Sequence, residues 1–249
     1  FLRRAGREAR TLREDFAGTA RVSLAWVGSD DEREAEAVDL DRGALARARR
    51  LARRLLESDE RDRLRIARRD VRAAARGAFD LVLAPNFSWA VLGDEALATY
   101  LAGAARALEP DGLLALEIFG GRALRGVRVQ RHRLPDGLRY VWEQRAYDAA
   151  AQRLEAVLHF APREGPMLRD AFRYCFHLRS RSALEALLRG AGLDRIELLV
   201  EDARGALRPV AGEPRRAAWS GYLLARPRRS RDGDGARACG ARRGRRLRK

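Results

Sequence analysis

The chain has 249 residues, of which 46% are hydrophobic, enough apolar material to bury the core of one α/β domain with an elaboration. No apolar run approaches the roughly 20 residues that span a bilayer, and the first residues lack the charged, apolar, small-residue order of a signal peptide. The sequence therefore predicts a cytoplasmic protein without a membrane partner. The chain begins at Phe1, close to the first predicted strand, so we expect a segment to precede it.

The formal net charge of +16 raises the possibility of nucleic-acid binding, but its distribution argues against a dedicated surface. Lysine occurs only once, at Lys249, and this arginine bias also fits a GC-rich coding sequence. Residues 226–249 hold 11 of the 51 arginine and lysine residues, without apolar periodicity, and are predicted to be a basic disordered tail. We expect nucleic acid to bind only through this tail. Cys175 and Cys239 lie far apart and predict neither a disulfide nor a metal site.

Short apolar runs alternate with amphipathic segments in the first half of the chain, which is typical of β-α units that feed a parallel sheet. Five strands are predicted at residues 9–14, 36–40, 64–69, 79–84 and 113–118. Helices are predicted at residues 20–27, 42–57 and 94–108.

The pattern changes after Gly120 and Gly121 to longer strands without helices between them. Strands at 138–147, 153–160 and 169–178 predict an antiparallel β insertion, spanning about 127–178. A helix at 180–190, a strand at 193–200 and a last antiparallel strand at 217–225 complete the domain, which we assign to residues 1–225. The predicted fold is α/β, a seven-stranded and mostly parallel sheet with helices on both faces and the insertion after strand five.

The most informative motif runs from Leu12 to Ala20, Leu-Arg-Glu-Asp-Phe-Ala-Gly-Thr-Ala, from a strand end through a tight turn into a helix. Gly18 would let a ligand approach the backbone, although a glycine between a strand and a helix is also typical of a plain turn. The next strand ends in Asp39, whose carboxylate can accept hydrogen bonds from both hydroxyls of a ribose. The alternative role of helix N-cap suits Asp41 better.

Two more motifs follow strands three and four. Asp70 and Val71 are suited to the amino group and a ring nitrogen of adenine, while Asn86 and Phe87 lie at the carboxyl edge, where open α/β sheets bind ligands. Asp70 also fits a turn cap, and Phe87 and Trp89 also fit a core. Four motifs in order at the ends of successive strands together predict a site for a nucleotide-type cofactor.

With the turn Ala-Leu-Glu-Pro-Asp-Gly at 107–112 and the Phe-Gly-Gly at 119–121, these motifs resemble class I S-adenosylmethionine-dependent methyltransferases. The narrower resemblance is to a bacterial branch whose first motif is Glu-Asp-Phe-Cys-Gly-Thr-Ala, and it extends over residues 12–225. It implies a Rossmann-like fold, S-adenosyl-L-methionine as cofactor, and a lid over the pocket in the segment that precedes Phe1.

Carried over residue by residue, the resemblance implies that Glu14 and Gly18 lie against the methionine part of the cofactor and that Asp39 holds the ribose. Asp70 and Val71 would frame the adenine. The remaining predicted cofactor residues are Asp15, Phe16, Asn86 and Phe87, of which the last two would border the transferred methyl. The chain departs from the family at Phe16 and Ala20, where glycines are usual, and from the branch at Ala17, where cysteine is usual.

Methyl transfer by direct in-line displacement needs no metal, only an aligned acceptor and, for some acceptors, removal of a proton. We predict Asn86, His159 and His177 as catalytic, with either histidine as general base; the alternative for a histidine in a strand is a structural role. Further acceptor-side candidates are Trp89, Glu117, Trp142 and Tyr174. The predicted acceptor is a small molecule.

Three other functions remain open from the sequence. An NAD-linked enzyme would normally show a fuller Gly-x-Gly-x-x-Gly loop. A nucleic-acid-modifying methyltransferase or RNA-binding protein would use the arginines, but Pro85-Asn86-Phe87-Ser88 is not the Asn/Asp-Pro-Pro-aromatic motif that grips a flipped base. A non-catalytic relative would bind the cofactor without turnover.

Overall fold

The computed structural model describes residues 8–73, 79–134 and 137–228. Most of the predicted basic tail, including Cys239, lies outside the described residues. Twelve strands are present in this part of the chain: β1 Thr11–Asp15, β2 Glu34–Asp39, β3 Leu64–Arg68, β4 Phe79–Ala84, β5 Leu108–Gly120, β6 Arg128–Arg133, β7 Arg139–Asp148, β8 Arg153–Ala161, β9 Leu168–His177, β10 Leu193–Glu201, β11 Leu207–Val210 and β12 Trp219–Pro227.

Five α-helices lie between these strands: α1 Arg21–Val27, α2 Arg42–Leu55, α3 Ser58–Asp62, α4 Asp94–Ala107 and α5 Arg181–Gly190. Asp41 is the N-cap of α2, where its side chain accepts a hydrogen bond from the amide of Ala44, as the sequence indicates. Ser180 caps α5 in the same way through the amide of Ala183.

The central sheet has eight strands in the order β11-β10-β12-β5-β4-β1-β2-β3. Strands β1 to β5 are parallel, and β12 is antiparallel to both β5 and β10. The mostly parallel α/β prediction is confirmed, but the predicted count of seven is wrong. The extra strand, β11, is a four-residue edge strand that contains Pro209, too short for an alternating pattern to be visible in the sequence.

Alternating side chains of the central strands enter two separate cores. In β4, Leu81 and Leu83 pack in the core that contains Leu24 of α1 and Ala52 of α2. Val82 and Ala84 pack in the core that contains side chains of α4 and α5. Helices therefore cover both faces of the sheet, and the carboxyl ends of β1 to β5 remain at one edge.

The antiparallel insertion is a separate four-stranded sheet in the order β6-β7-β8-β9, one strand more than predicted. The sequence hides β6 because five of its six residues are exposed and three of them are arginines. One face of this sheet carries Trp142, Tyr174 and Phe176, which pack on the core beside α4 and α5. The insertion is thus attached to the domain by an aromatic face.

Candidate functional site

The turn after β1 has an unusual backbone. Phe16, Gly18 and Ala20 all have left-handed conformations, with φ of 53°, 54° and 56°. Left-handed backbone costs a side chain about 1 to 2 kcal/mol and costs glycine nothing. Phe16 and Ala20 are the two positions where the family resemblance expects glycine, so the turn keeps its path without those glycines. Ala20 is fully buried in this conformation. The Phe16 ring contacts Tyr100 edge to face, with 5.5 Å between the ring centroids.

Hydrogen bonds join the ends of the three neighbouring strands β1, β2 and β3. The amide of Ala17 donates to the carbonyl of Val38 at 3.0 Å, and the amide of Gly18 donates to Oδ2 of Asp39 at 2.7 Å. The amide of Arg69, after β3, donates to the carbonyl of Asp39 at 3.1 Å. The structure therefore brings the first motif, Asp39 and the residues before Asp70 together at one edge of the sheet.

Asp39 is partly buried at the centre of this edge. Its Oδ1 accepts from the amide of Asp41 at 2.8 Å, so each carboxylate oxygen has one backbone donor and keeps the capacity for a second hydrogen bond. The next side chain, Leu40, is 58% exposed although it is large and apolar. The sequence analysis did not predict Leu40 as a site residue. The signal that could have identified it is an apolar residue between the two aspartates of Val-Asp-Leu-Asp.

Glu14 and Asp15 lie beneath the turn and point to opposite faces of the sheet. Oε2 of Glu14 accepts from the amide and the hydroxyl of Ser23, at 2.7 and 2.6 Å, and burial raises the pKa of this carboxyl. Asp15 is fully buried and accepts from Nε of Arg13 at 2.7 Å and from the hydroxyl of Tyr100 at 3.0 Å. Burial raises the pKa of Asp15 to about 6, although the Arg13 guanidinium opposes this shift. Both carboxylates thus have protein partners.

Arg13 extends this buried network to the segment after β3. Its side chain is 0% exposed, and Nη2 donates to the carbonyl of Val71 at 3.1 Å. Val71 is itself buried, which fixes the chain next to Asp70. The sequence signal for this network is the run of three charged residues, Arg13 to Asp15, within a predicted central strand.

Asp70 is partly exposed and already ion-paired. Its carboxylate accepts from the amide, Nε and Nη2 of Arg72, at distances between 2.6 and 3.1 Å. These hydrogen bonds hold the pKa of Asp70 below its usual value. The Asp70 carboxylate therefore caps the turn, as the alternative interpretation predicts. A ligand that binds this carboxylate would do so beside the Arg72 guanidinium.

The turn after β4 is left-handed at both Asn86 and Phe87, with φ of 58° and 56°. The amide of Asn86 donates to Oε2 of Glu117 at 2.5 Å, and Nε1 of the buried Trp89 donates to the carbonyl of Glu117 at 2.7 Å. Burial raises the pKa of Glu117. The Phe87 ring contacts Phe119 of β5 at 4.5 Å between centroids. Asn86 is exposed in this turn, and Glu117 holds its backbone in place.

The two candidate histidines lie in different environments. His159 is on the face of the insertion opposite to Trp142 and Tyr174. Nδ1 of His159 accepts from the amide of Asp170 at 2.9 Å, and Nε2 lies 2.9 Å from a carboxylate oxygen of Glu143. Because both ring nitrogens have partners and the ring faces away from the aromatic face, this geometry favours the structural alternative.

His177, at the end of β9, lines a cavity beside the carboxyl end of β5, together with Trp89 and Phe119. Burial and the positive charges of Arg179 and Arg153 lower the pKa of His177. A neutral imidazole can accept a proton, so His177 keeps the chemical property expected of a general base.

Two features are absent from the described residues. No group of three or more histidine, cysteine, aspartate or glutamate side chains is arranged to hold a metal ion in this part of the chain. No helix in residues 8–73, 79–134 and 137–228 combines the length and apolar character needed to span a bilayer.

Comparison with known proteins identifies the fold. No family model and no curated protein sequence gives a significant match. Among solved structures, an S-adenosylmethionine-dependent methyltransferase from Clostridium acetobutylicum is 16% identical with a TM-score of 0.69, covering 91% of this chain and 87% of that one. The CcbJ methyltransferase from Streptomyces caelestis is 17% identical with a TM-score of 0.68, covering 88% and 89%.

A third solved structure holds a cofactor. The glycopeptide N-methyltransferase MtfA, in complex with S-adenosyl-L-methionine, is 21% identical with a TM-score of 0.57 and 90% coverage of both chains. At these identities the comparisons establish a shared architecture. The chain has the mixed α/β, Rossmann-like fold of S-adenosylmethionine-dependent methyltransferases.

Proposed function

We propose that this chain is an S-adenosylmethionine-dependent methyltransferase that methylates a small-molecule acceptor. The observation that carries the proposal is the position of the Asp39 carboxylate, which bonds the Gly18 amide where the ends of β1, β2 and β3 are joined. A carboxylate at the end of the second strand, next to a glycine turn, is the arrangement that binds the ribose of nucleotide-type cofactors. The methyltransferase fold of the solved neighbours supports the same cofactor.

The residues at this edge fit the parts of S-adenosyl-L-methionine. A Cβ placed on Gly18 would meet no protein atom within 4 Å, which leaves space for the methionine part at the turn. Asp39 keeps one free acceptor position on each oxygen for the ribose hydroxyls. The exposed Leu40 side chain offers an apolar surface to the adenine, and the segment of Asp70 and Val71 borders its other side.

Glu14, Asp15 and Phe16 support the turn in this proposal. The first two carboxylates bind Ser23, Arg13 and Tyr100, so they act by holding the turn in its left-handed path. We therefore assign them as positioning residues beneath the cofactor.

When bound, the cofactor supplies an electrophilic methyl group on its sulfonium. The task of the protein is to align the acceptor, exclude water and accept a proton from acceptors that lose one. We assign alignment to the turn of Asn86 and Phe87, which Glu117 and Phe119 hold in place. We assign proton acceptance to His177, since its ring lines the adjoining cavity and burial lowers the pKa of its imidazole.

The substitution Asp39→Asn tests the proposal. The amide oxygen of asparagine can keep the bond to Gly18, whereas the charge and one acceptor atom are lost. We expect the Kd for S-adenosyl-L-methionine in calorimetry to rise about 10- to 100-fold, as for the loss of one hydrogen bond to a charged group.

The matched control is Asp31→Asn, on an exposed turn before β2, which should leave the affinity unchanged. S-adenosylhomocysteine, NAD and ATP complete the panel. Unchanged affinity of the Asp39 variant for S-adenosyl-L-methionine, or a preference of the wild-type protein for NAD or ATP, would contradict the proposal.

A further inference from the structure

A cavity of about 140 Å³ adjoins the carboxyl end of β5, and the assigned cofactor residues do not line it. It lies between the turn after β4, the beginning of α5 and the beginning of β12. The Phe119 ring lines the cavity and also contacts Phe87, so the cavity is one aromatic ring away from the turn assigned to acceptor alignment. The cavity therefore lies next to the part of the site assigned to acceptor alignment.

The Phe-Gly-Gly turn shapes this cavity. A Cβ on Gly120 would lie 2.3 Å from Cζ2 of Trp219, and a Cβ on Gly121 would lie 2.4 Å from the carbonyl oxygen of Ala217. Gly121 also has a φ of 111°. Only glycines at both positions let the start of β12 close against the turn. This close approach seats the Trp219 indole in the cavity wall.

Two hydrogen-bond donors of the cavity wall have no protein acceptor among the described residues. The indole Nε1 of Trp219 is buried and makes no hydrogen bond. Arg125, at the other side of the Phe-Gly-Gly turn, makes no side-chain hydrogen bond or ion pair with residues of the described ranges. A buried donor without an acceptor destabilises the folded protein, and a ligand oxygen at Trp219 would remove that cost.

The charges around the cavity are mostly positive, and the other arginines are already engaged. Arg179 pairs with Asp94, and Arg181 pairs with Glu185. Among the described residues a single carboxylate, that of Glu213, lines the cavity, and it accepts from the amide of Arg181. Among the described arginines that line the cavity, Arg125 is therefore the one whose guanidinium is available to a ligand. The excess of arginine over carboxylate in the lining favours an anionic ligand.

The volume limits what can enter. A cavity of about 150 Å³ with apolar walls holds a benzene molecule. Here the walls include the rings of Phe119, Trp89 and Trp219, which suit a planar or six-membered ring.

Resting on the proposed function, we propose that this cavity binds the anionic, ring-bearing end of the methyl acceptor. The ring would lie among Phe119, Trp89 and Trp219, and an oxygen of a carboxylate or phosphate would accept hydrogen bonds from Trp219 Nε1 and the Arg125 guanidinium. The acceptor class is therefore a small cyclic compound that carries an acidic group on the side away from the methylated atom.

Binding of four single-ring probes tests this inference: benzoate and phenyl phosphate as anions, benzyl alcohol as a neutral probe and benzylamine as a cation. Each is titrated by calorimetry into the protein saturated with S-adenosylhomocysteine and, separately, into the protein alone. We expect at least one anion to bind more tightly than benzyl alcohol and benzylamine. The tighter anion distinguishes a carboxylate from a phosphate.

Two variants remove the proposed donors. Trp219→Phe keeps an aromatic ring without the N–H, and Arg125→Gln removes the charge; each should raise the Kd of the preferred anion at least five-fold. Arg122→Gln is the matched control, because this exposed arginine belongs to the same turn and does not line the cavity. The Kd for S-adenosylhomocysteine should stay unchanged in all three variants, and their thermal midpoints report folding.

The inference is overturned if no anion binds, if the neutral or cationic probe binds as well as the anions, or if Arg122→Gln weakens binding as much as Arg125→Gln. Failure of the proposed function is a different result, namely no binding of S-adenosyl-L-methionine or S-adenosylhomocysteine to the wild-type protein. The titration of the anions into the protein alone tests the cavity whether or not the protein binds the cofactor.

Discussion

Individual residues at the sheet edge serve two separable purposes, folding of the turn and contact with a ligand. Gly18 illustrates the difference, because its left-handed backbone belongs to the fold while the open space at its Cβ position is available to a cofactor. Asp39 also has both purposes, since it binds two backbone amides and has acceptor capacity left. Substitutions at this edge can therefore be judged by whether they change stability, affinity or both.

Gly18→Ala should weaken cofactor binding far more than it destabilises the fold. The added methyl group meets no protein atom, so the structural cost is the left-handed backbone, about 1 to 2 kcal/mol. In the cofactor complex the same methyl group would occupy ligand space, and we expect the Kd for S-adenosyl-L-methionine to rise at least ten-fold.

The matched control for Gly18→Ala is Gly192→Ala, after α5. Gly192 has a φ of 84° and nothing within 4 Å of its Cβ position, so the backbone cost is similar at a distant place. Urea denaturation should report similar destabilisation of both variants, while calorimetry separates them. Equal affinities in the two variants would show that the cofactor does not approach Gly18.

At the scale of elements, two networks of polar side chains connect segments that are distant in the sequence, one fully buried and one partly exposed. Arg13 and Asp15 of β1 bind the Tyr100 hydroxyl of α4 and the Val71 carbonyl after β3. In the insertion, Arg145 of β7, His159 of β8 and Asp170 of β9 form a second network across three strands. The first network connects elements next to the proposed cofactor site, and the second connects strands within the insertion.

Arg13→Met should strongly destabilise the protein, because it leaves the Asp15 carboxyl buried without its cation. Removal of one partner of a buried ion pair typically costs about 3 to 5 kcal/mol, measured here as the free energy of unfolding in urea at pH 7.5. Tyr100→Phe removes only a hydroxyl donor and should cost about 1 to 3 kcal/mol.

The pH dependence of Arg13→Met follows from the raised pKa of Asp15. Arg13 lowers the pKa of Asp15, so the pKa of this carboxyl should be higher still in the variant. Protonation of Asp15 then stabilises the variant more than the wild type, and the deficit of the variant should shrink as the pH falls towards 5. Arg10→Met, at an exposed ion pair with Glu32, is the control and should change stability by less than about 1 kcal/mol. Similar losses in both arginine variants would contradict the assignment.

Asp170→Asn should lower the thermal midpoint at neutral pH and have little effect in acid. Hydrogen bonds from Arg145 lower the pKa of Asp170 from its ordinary 3.8, so the ionised carboxylate stabilises the folded state. This contribution is complete above pH 3.8 and is lost as the pH falls through the lowered pKa. Scanning calorimetry at pH 6 and at pH 3 measures the difference between wild type and variant.

Glu164→Gln, on the turn between β8 and β9 and outside the ion-pair network, should show no such pH dependence. A deficit of Asp170→Asn that is as large at pH 3 as at pH 6 would mean that packing, and not charge, is responsible.

At the scale of the whole molecule, part of the positive charge lies in a segment that is separate in sequence from the proposed site. Residues 8–228 contain both sheets and every residue assigned to the cofactor and the acceptor. The remaining segment, 229–249, contributes nine arginine and lysine residues and two aspartates. This separation leads to a prediction about the tail.

A chain that ends at Arg228 should bind S-adenosyl-L-methionine with unchanged affinity and keep its thermal midpoint. Saturation with ligand at 100 times its Kd should stabilise both forms by about 2.7 kcal/mol. Any salt-sensitive binding of single-stranded RNA should fall in the shortened form, because fewer cations remain to release counterions. RNA binding that survives the truncation would instead locate it on the folded domain.

Local sequence patterns were sufficient for much of the fold. Alternating apolar residues and turn residues identified all five parallel strands, the helices α1, α2, α4 and α5, and three strands of the insertion, because these signals lie within one element. The short helix α3 was not predicted. The missed strands, β6 and β11, are an arginine-rich strand and a four-residue edge strand, in which alternation is absent or too short. The order of motifs at successive strand ends also predicted that Asp39 meets the first-motif turn.

The sequence by itself determined the fold class and the strand ends at which polar residues occur, since periodicity, capping and turn chemistry depend on neighbours along the chain. Only the tertiary structure decided which side chains these residues meet: Tyr100 lies 85 residues from Asp15, and Arg13 lies 58 residues from Val71. It also turned His159 away from the aromatic face and seated Trp219 against Gly120. Such contacts depend on packing between distant segments, and no local pattern encodes them.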